Sequence, residues 1–380
     1  MRDVMAPQVE IVSQQARFIE LAPQWDELWR RCAGEIFQSH AWIAAWLGIY
    51  RTKVRLRIAV AWQGTELVAA VPLVIRRKFG LQRLEWAAQS LSDYCDALAT
   101  PDAAPYLRDL WSAVWRLGGF DVVNVQQIKP EAVTRRLLDE SEIISRRGHW
   151  QKRCYAINCV WPDSEAWFRS LGKKGRNNFW RGERILTSLG GEIQFHCIDP
   201  HNQSVESELR HTFALKRAWL RGAKPHSALL GRDGEALEAM LRAVSMMGQM
   251  RLFVLTSGDK IAATSINFIC GQGMQAYLTA YDPAFDRASP GMILIVRYTR
   301  WAFDHGLRIV DFLRGDESFK SRLANCEVVL HSYGGARTLF GRAAIAVNQW
   351  RVRPDSEFPD ATAKALDPQP TSSSFLSNDG

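Results

Sequence analysis

The chain has 380 residues, room for about two to three domains, and 47% of them are hydrophobic, as in an ordinary folded protein. Its net charge of +8 suits anionic partners: nucleic acid, a CoA-type cofactor or an anionic membrane surface. The longest apolar run, 67–75, contains a proline and is too short to span a bilayer, no secretory signal is evident, and seven dispersed cysteines without a CxxC pair suit a reducing cytoplasm rather than a disulfide scaffold or a zinc site.

In chain order, residues 1–8 read as frayed and 9–13 as a first strand. Helices are expected over 23–32, with Trp25, Leu28 and Trp29 on one face, and over 38–49, capped by Ser39. Residues 56–62 and 66–74 form a hairpin about Gln63-Gly64-Thr65. Short strands at 84–86 and 97–99 flank a loop, Ser90–Asp96. A helix over 106–117 ends at Gly118-Gly119 and a strand follows over 120–125. Trp42, Trp46, Trp111 and Trp115 fall at helical spacing and read as core, not as a carbohydrate platform. His40 reads as a helix-start residue rather than a catalyst.

The second half repeats this order. A strand at 154–160 precedes one long helix over 164–189, a strand at 191–197, helices at 205–220 and 235–247, and a hairpin of 250–256 with 260–269. A strand at 277–281, a turn, a helix over 292–305 and a strand at 309–313 make a crossover unit with parallel strands. Strands at 328–331 and 337–339 follow. Residues 352–380, rich in Pro, Ser, Asp and Ala, read as disordered. The recurring order implies an α/β protein made of two copies of one fold with mixed central sheets: 9–150, 151–350 and a tail over 351–380.

The turn before the 292–305 helix is the first candidate site. Ser289 is placed to cap the helix and Pro290 suits its first position. Free backbone N–H groups, the helix dipole and Arg287 together make a seat for a pyrophosphate. The glycine spacing of a Walker loop or a dinucleotide fingerprint is missing, and most capped helices bind no phosphate. The helix over 164–189 carries Lys173, Lys174, Arg176, Arg181 and Arg184 away from its apolar face, either as an anion contact or as a solvated face.

Three passages carry a resemblance: 37–42 (FQSHAW), 171–178 (LGKKGRNN) and above all 311–320 (DFLRGDESFK). With the element order of the second half, the chain resembles the CelD/BioF-like acetyltransferase family of the GNAT superfamily, itself similar to the Fem peptidyltransferases, over roughly residues 15–340. The resemblance implies two tandem GNAT-like folds, with acetyl-CoA or another acyl-CoA bound by the second and no metal. Arg287, Ser289, Gly291 and Met292 fall at the donor turn, which keeps the arginine of the superfamily pattern but not its glycine spacing. The acceptor is then an amine of a sugar or small metabolite, in exopolysaccharide or envelope precursor synthesis.

Acyl transfer from a thioester needs a base for the incoming ammonium, N–H groups for the oxyanion and a proton for the leaving thiolate. Asp316 or Glu317 is the expected base, the N–H groups near Thr279–Tyr281 the oxyanion contact, Tyr281 the proton donor, and Lys320 a contact for an anionic group. Arg314, with Asp316, Glu317 and Lys320, has a surface charge network as its other reading. Asp93 and Asp96, in the corresponding loop of the first half, and Lys173 and Arg176 are the remaining substrate contacts. A Fem-like transferase using aminoacyl-tRNA is the alternative enzyme, and a non-catalytic accessory protein of polysaccharide synthesis the alternative outside enzymes. No DNA and no membrane span are expected, though surface association is compatible with the charge.

Overall fold

A computed structural model describes residues 7–147, 152–201 and 204–351. The expected boundary at 150/151 and the tail beyond Arg351 lie outside the described residues. The first half runs β1 (Gln8–Val12), α1 (Gln15–Glu20), α2 (Ala22–Arg31), α3 (His40–Tyr50), β2 (Val54–Gln63), β3 (Glu66–Lys78), β4 (Leu81–Trp86), β5 (Leu98–Ala99), α4 (Leu107–Leu117), β6 (Val122–Ile128), α5 (Arg135–Asp139) and β7 (Ser145–Arg146). The second runs β8 (Lys152–Asn158), α6 (Ser164–Ser170), α7 (Gly172–Gly190), β9 (Ile193–Ile198), α8 (Glu206–Ala223), α9 (Arg232–Ser245), β10 (Met250–Ser257), β11 (Lys260–Cys270), β12 (Gly273–Tyr281), α10 (Pro290–Asp304), β13 (Ile309–Arg314), α11 (Ser318–Leu323), β14 (Cys326–Ala336) and α12 (Leu339–Arg351).

The strands form one sheet in the order β1-β2-β3-β4-β6-β14-β8-β13-β12-β11-β10-β9. The repeat is visible in it. β1 to β4 are antiparallel and β4 then lies parallel to β6; β9 to β12 are antiparallel and β12 then lies parallel to β13. Each parallel pair is bridged by an apolar helix, α4 or α10, as a crossover requires. Two separate sheets were expected; β14 merges them. Its first residues pair with β8 and its last with β6.

Three further expectations are corrected. The helix over 164–189 is two, because Gly172 takes φ 69 and breaks the ladder after Leu171. The strand at 328–331 runs longer than expected, to Ala336, with Gly334 and Gly335 inside β14, close to Arg147 and to the Ile143 carbonyl, where a Cβ would intrude; the second strand, at 337–339, is absent, its residues forming a bend and the start of α12. Residues 339–351 form a helix that was not expected, with no element foreseen between the 337–339 strand and the tail.

Side chains from both halves share the central core. Trp42 and Trp46 of α3 bury fully, with Phe37, Tyr94, Phe268 and Tyr277 around them. Ser39 caps α3 as expected, accepting from Trp42 N at 3.3 Å. Separate cores lie on the opposite faces, under α4 in the first half and under α10 in the second. The two halves are thus packed through one apolar layer, which fixes the first-half loop at 91–96 against the second-half sheet.

Candidate active site

Strands β12 and β13 pair over only three positions, Gly273–Ile309, Met274–Val310 and Gln275–Asp311. Beyond them they diverge. β13 shifts register against β8 between Asp311 and Arg314, and Leu313 takes φ 57, a left-handed conformation that a branched apolar residue rarely adopts. β12 is irregular against β11 between Ile266 and Asn267. Alternate N–H groups of β12 after Gln275 therefore face the opening instead of a strand partner. Leu313 N–H is taken up by Asp311 Oδ1 at 2.8 Å, so the carboxylate itself stabilises the kink.

At the open end β12 leads into the turn before α10. Asp282 accepts from Ala284 N at 2.9 Å and starts a tight turn over Pro283–Ala288. Ser289 does not cap α10 with its side chain, contrary to expectation. It sits at φ 52, ψ 55, which directs the hydroxyl away from the first N–H groups, and its carbonyl instead accepts from Met292 and Ile293 at 3.0 and 3.3 Å. Arg287 is exposed, Gly291 buried and Met292 half-buried. By the ordinary geometry of a helix start, the Gly291 N–H lies outside the helix ladder. Helix α7 holds the turn from behind: a Cβ on Gly182 would meet the Ala288 carbonyl at 2.7 Å. The Tyr281 hydroxyl donates to Asp286 at 3.2 Å, and burial, reinforced by that carboxylate, pushes the phenol up to about 12.

The segment after β13 is built around Lys320. Its ammonium is fully buried, 2.9 Å from Glu317, and donates to the Leu313 and Arg314 carbonyls. Gly315 has φ 129, and any Cβ there would strike Glu317. Lys320 therefore faces inward and shapes the turn, while Asp316 is exposed at its crest. Arg314 is buried and reaches across the molecule, its Nε 2.7 Å from Asp93 Oδ1. With the Gln127 amide oriented to satisfy its neighbours, the amide oxygen accepts from Arg314 Nη1 at 2.7 Å. Gln127 also has positive φ, 61. The structure thus brings Asp93, Arg314, Glu317 and Lys320 into one region and leaves Asp96 at its edge. Asp96 accepts from Ala97 N, Val133 N, and Thr134 N and Oγ1 at 2.6–3.1 Å, which ties down the 132–134 loop.

Asp311 is the residue that the sequence reading missed. It lies where β12 and β13 part, and the Tyr94 hydroxyl donates to it at 2.6 Å. Burial pushes its carboxyl up to about 6, against the pull of the Tyr94 and Leu313 donors. The available signal was a lone acid in the apolar run 309–313. Lys173 is exposed and Arg176 half-buried, in the first turns of α7. At 1.5 Å per residue, Lys173 lies roughly 13 Å along the helix from Gly182, well away from the turn before α10. Farther along α7, Asn177, Trp180, Arg181 and Arg184 line an open cleft of about 900 Å³, together with Glu183 and Arg297.

Residues 173–321 match the family model described as "Acetyltransferase (GNAT) domain". Among solved structures, FemX is similar with a TM-score of 0.52 at 10% identity, over 85% of this chain and 96% of that one. L-PGS from Bacillus licheniformis is similar with a TM-score of 0.53 at 13% identity, over 86% of this chain and 95% of that one. At these identities the likeness is one of fold. No curated protein matches the chain.

Proposed function

We propose, for a chain whose residues 173–321 form a GNAT acetyltransferase domain, that it transfers an acetyl or acyl group from acyl-CoA to an amine of a sugar or small metabolite. The observation that carries this is the parting of β12 and β13 after Gln275 and Asp311, with the left-handed turn at Ser289 at its mouth. The turn fits an anion: Arg287 is exposed beside the start of α10, and the dipole of a 15-residue helix points there. The donor's pyrophosphate then rests on 287–292 and its acyl arm enters between the strands. N–H groups of β12 receive the oxyanion as the amine attacks.

Asp316 is the better base of the two carboxylates named from sequence. It is exposed where an acceptor arrives, whereas Glu317 is committed to buried Lys320. Tyr281, whose hydroxyl donates to Asp286 in the free protein, turns that O–H to the leaving sulfur when the donor is bound, as a hydrogen-bond donor rather than as the full source of its proton. Moving a proton from a phenol at about 12 to a thiolate near 8.5 is uphill by roughly 5 kcal/mol. Asp93, held on Arg314, positions the acceptor side of the cleft. The two repeats act as one unit, the first shaping the acceptor site and the second holding the donor, in the cytoplasm where acyl-CoA is made; the acceptor is an exopolysaccharide or envelope precursor.

Thermal unfolding with and without acetyl-CoA tests the reading. At about a hundred times its Kd the donor stabilises the fold by roughly 2.7 kcal/mol. Loss of the shift in Arg287→Ala supports the turn as the pyrophosphate seat. No shift with any acyl-CoA sinks the proposal. The second reading, an aminoacyl-tRNA donor, is favoured by the cleft along α7, where Arg181 and Arg184 flank an exposed Trp180. Stabilisation by charged tRNA and not by acyl-CoA selects it.

A further inference from the structure

Four large apolar side chains stand out from one end of the first-half sheet. Phe79 is 84% exposed, Leu339 81% and Phe340 60%, with Leu117 exposed beside them. The topology gathers them. The β3–β4 hairpin turns at Phe79-Gly80, β4 runs parallel to the start of β6, and β14 ends at Ala336 opposite Val122. Asp121 ties these ends together. Its N–H donates to the Gln82 carbonyl, its carboxylate accepts from Gln82 N and Thr338 Oγ1, and its carbonyl accepts from Arg337 N. Leu117 ends α4 just before Gly118, which lies against the Arg337 guanidinium.

Two details show that this exposure is built in. Phe79 and Gly80 both have positive φ, 51 and 80. A two-residue hairpin loop of that kind favours Asn or Gly at its first position, so an aromatic there is strained and is also left in water. Helix α12 docks through Gly341, where any Cβ would strike the Asp121 carbonyl, and this leaves Phe340 and Val347, two turns apart, exposed on one face.

The surroundings are cationic. Arg55, Arg57 and Arg337 donate to the main-chain carbonyls of Gly119, Gly118 and Trp115, and among the described residues none of them forms an ion pair. Among the described residues, then, no carboxylate pairs with these charges. The crowding is felt locally: burial and then Arg55 push Arg57 down, and burial followed by Arg83 and Arg76 pushes Lys78 down.

We propose that this end of the sheet rests on an anionic lipid bilayer, with Phe79, Leu339 and Phe340 entering the headgroup boundary and the arginines meeting lipid phosphates. Protruding phenylalanine and leucine tips ringed by cations suit an interface of that kind. Single-stranded nucleic acid would instead call for aromatic faces lining a groove. The surface is separate from the donor turn and does not depend on the acyltransferase reading.

The test is cosedimentation of the full chain with phosphatidylcholine vesicles, with and without phosphatidylglycerol. Binding is expected only with the anionic lipid, weakening as salt rises. Phe79→Ser/Phe340→Ser should lower it by about tenfold or more, and Arg55→Gln or Arg337→Gln by about fivefold each. Both phenylalanines already stand in water, so the melting temperature should hold; Leu339→Ser is an independent variant if it does not. No binding to anionic vesicles overturns the proposal. So does binding that ignores the apolar variants, or equal binding of a short RNA, since either marks a general polyanion surface.

Discussion

Arg314 Nε lies 2.7 Å from Asp93 Oδ1, joining the end of β13 to a loop 221 residues earlier in the chain. Both side chains are buried, 7% and 0% exposed. Breaking such a pair from one side strands the other charge, which costs about 3–5 kcal/mol. Asp93→Ala and Arg314→Met should each destabilise the protein by that amount. The double variant should lose far less than the sum, as urea denaturation of all four proteins will show. Additive losses would mean that the two groups are stabilised separately.

Asp311 makes stability depend on pH in a defined direction. Its carboxyl is held at about 6 in the fold, chiefly by burial, against about 3.9 in an unfolded chain. Between those values the folded state keeps a proton that the unfolded chain has released. This contribution is full below about pH 4, declines towards pH 6 and is level above. Asp311→Asn removes the decline. Its stability relative to the parent should therefore rise between pH 4 and 7, by at most about 3 kcal/mol. Urea midpoints at pH 4, 5.5 and 7 decide this; a constant difference would show a carboxyl that ionises normally.

Gly182 touches the turn before α10 only because it lacks a side chain. The obstacle to a Cβ is the Ala288 carbonyl at 2.7 Å, with Ile293 next at 3.3 Å, and the carbonyl is main chain that cannot swing aside. Gly182→Ala should cost about 1–3 kcal/mol and weaken acetyl-CoA binding by moving the turn. Titration calorimetry reads the second effect. Unchanged affinity would separate the 283–292 turn from the donor.

The adjacent carboxylates Asp316 and Glu317 should behave oppositely. Glu317→Gln leaves the Lys320 ammonium buried beside carbonyls alone and should destabilise by about 3–5 kcal/mol. Asp316→Asn changes an exposed group and should alter stability by less than about 0.5 kcal/mol. A drop of about a hundredfold or more in kcat with Asp316→Asn, at unchanged melting temperature, would mark it as the base. Full activity would exclude it.

Most of the elements were legible because they carry strong local patterns. The hairpins β2–β3 and β10–β11 alternate about short turns, and α3 and α4 present tryptophans at helical spacing. The parallel crossover around α10 was read from its proline start and from Gly306, which follows the last expected helical residue. What escaped was non-local. Gly334-Gly335 reads as a break, yet β14 needs those glycines because Arg147 and Ile143 pass close over it. The capping role of Ser289 failed because nothing local in a Ser-Pro pair announces a left-handed serine. At the site, the sequence marked the 92–96 loop and the 311–320 motif separately. Their meeting through Asp93–Arg314 and Tyr94–Asp311 depends on how two halves pack, which no local pattern encodes.

The strand β14, which completes both halves, also sets an order of events during synthesis. The edge of β6 ends at Ile128, and its partner begins to be made only at Cys326. At roughly 5–20 residues per second, the first half waits on the order of 10–40 s with that edge unpaired. During this interval a ribosome-bound chain exposes main-chain donors and acceptors to its neighbours on the same message. A stop codon between β13 and residue 326 would therefore release not a smaller working unit but a sheet with an open flank in each half, and this eleven-residue strand acts as the clasp for everything translated before it.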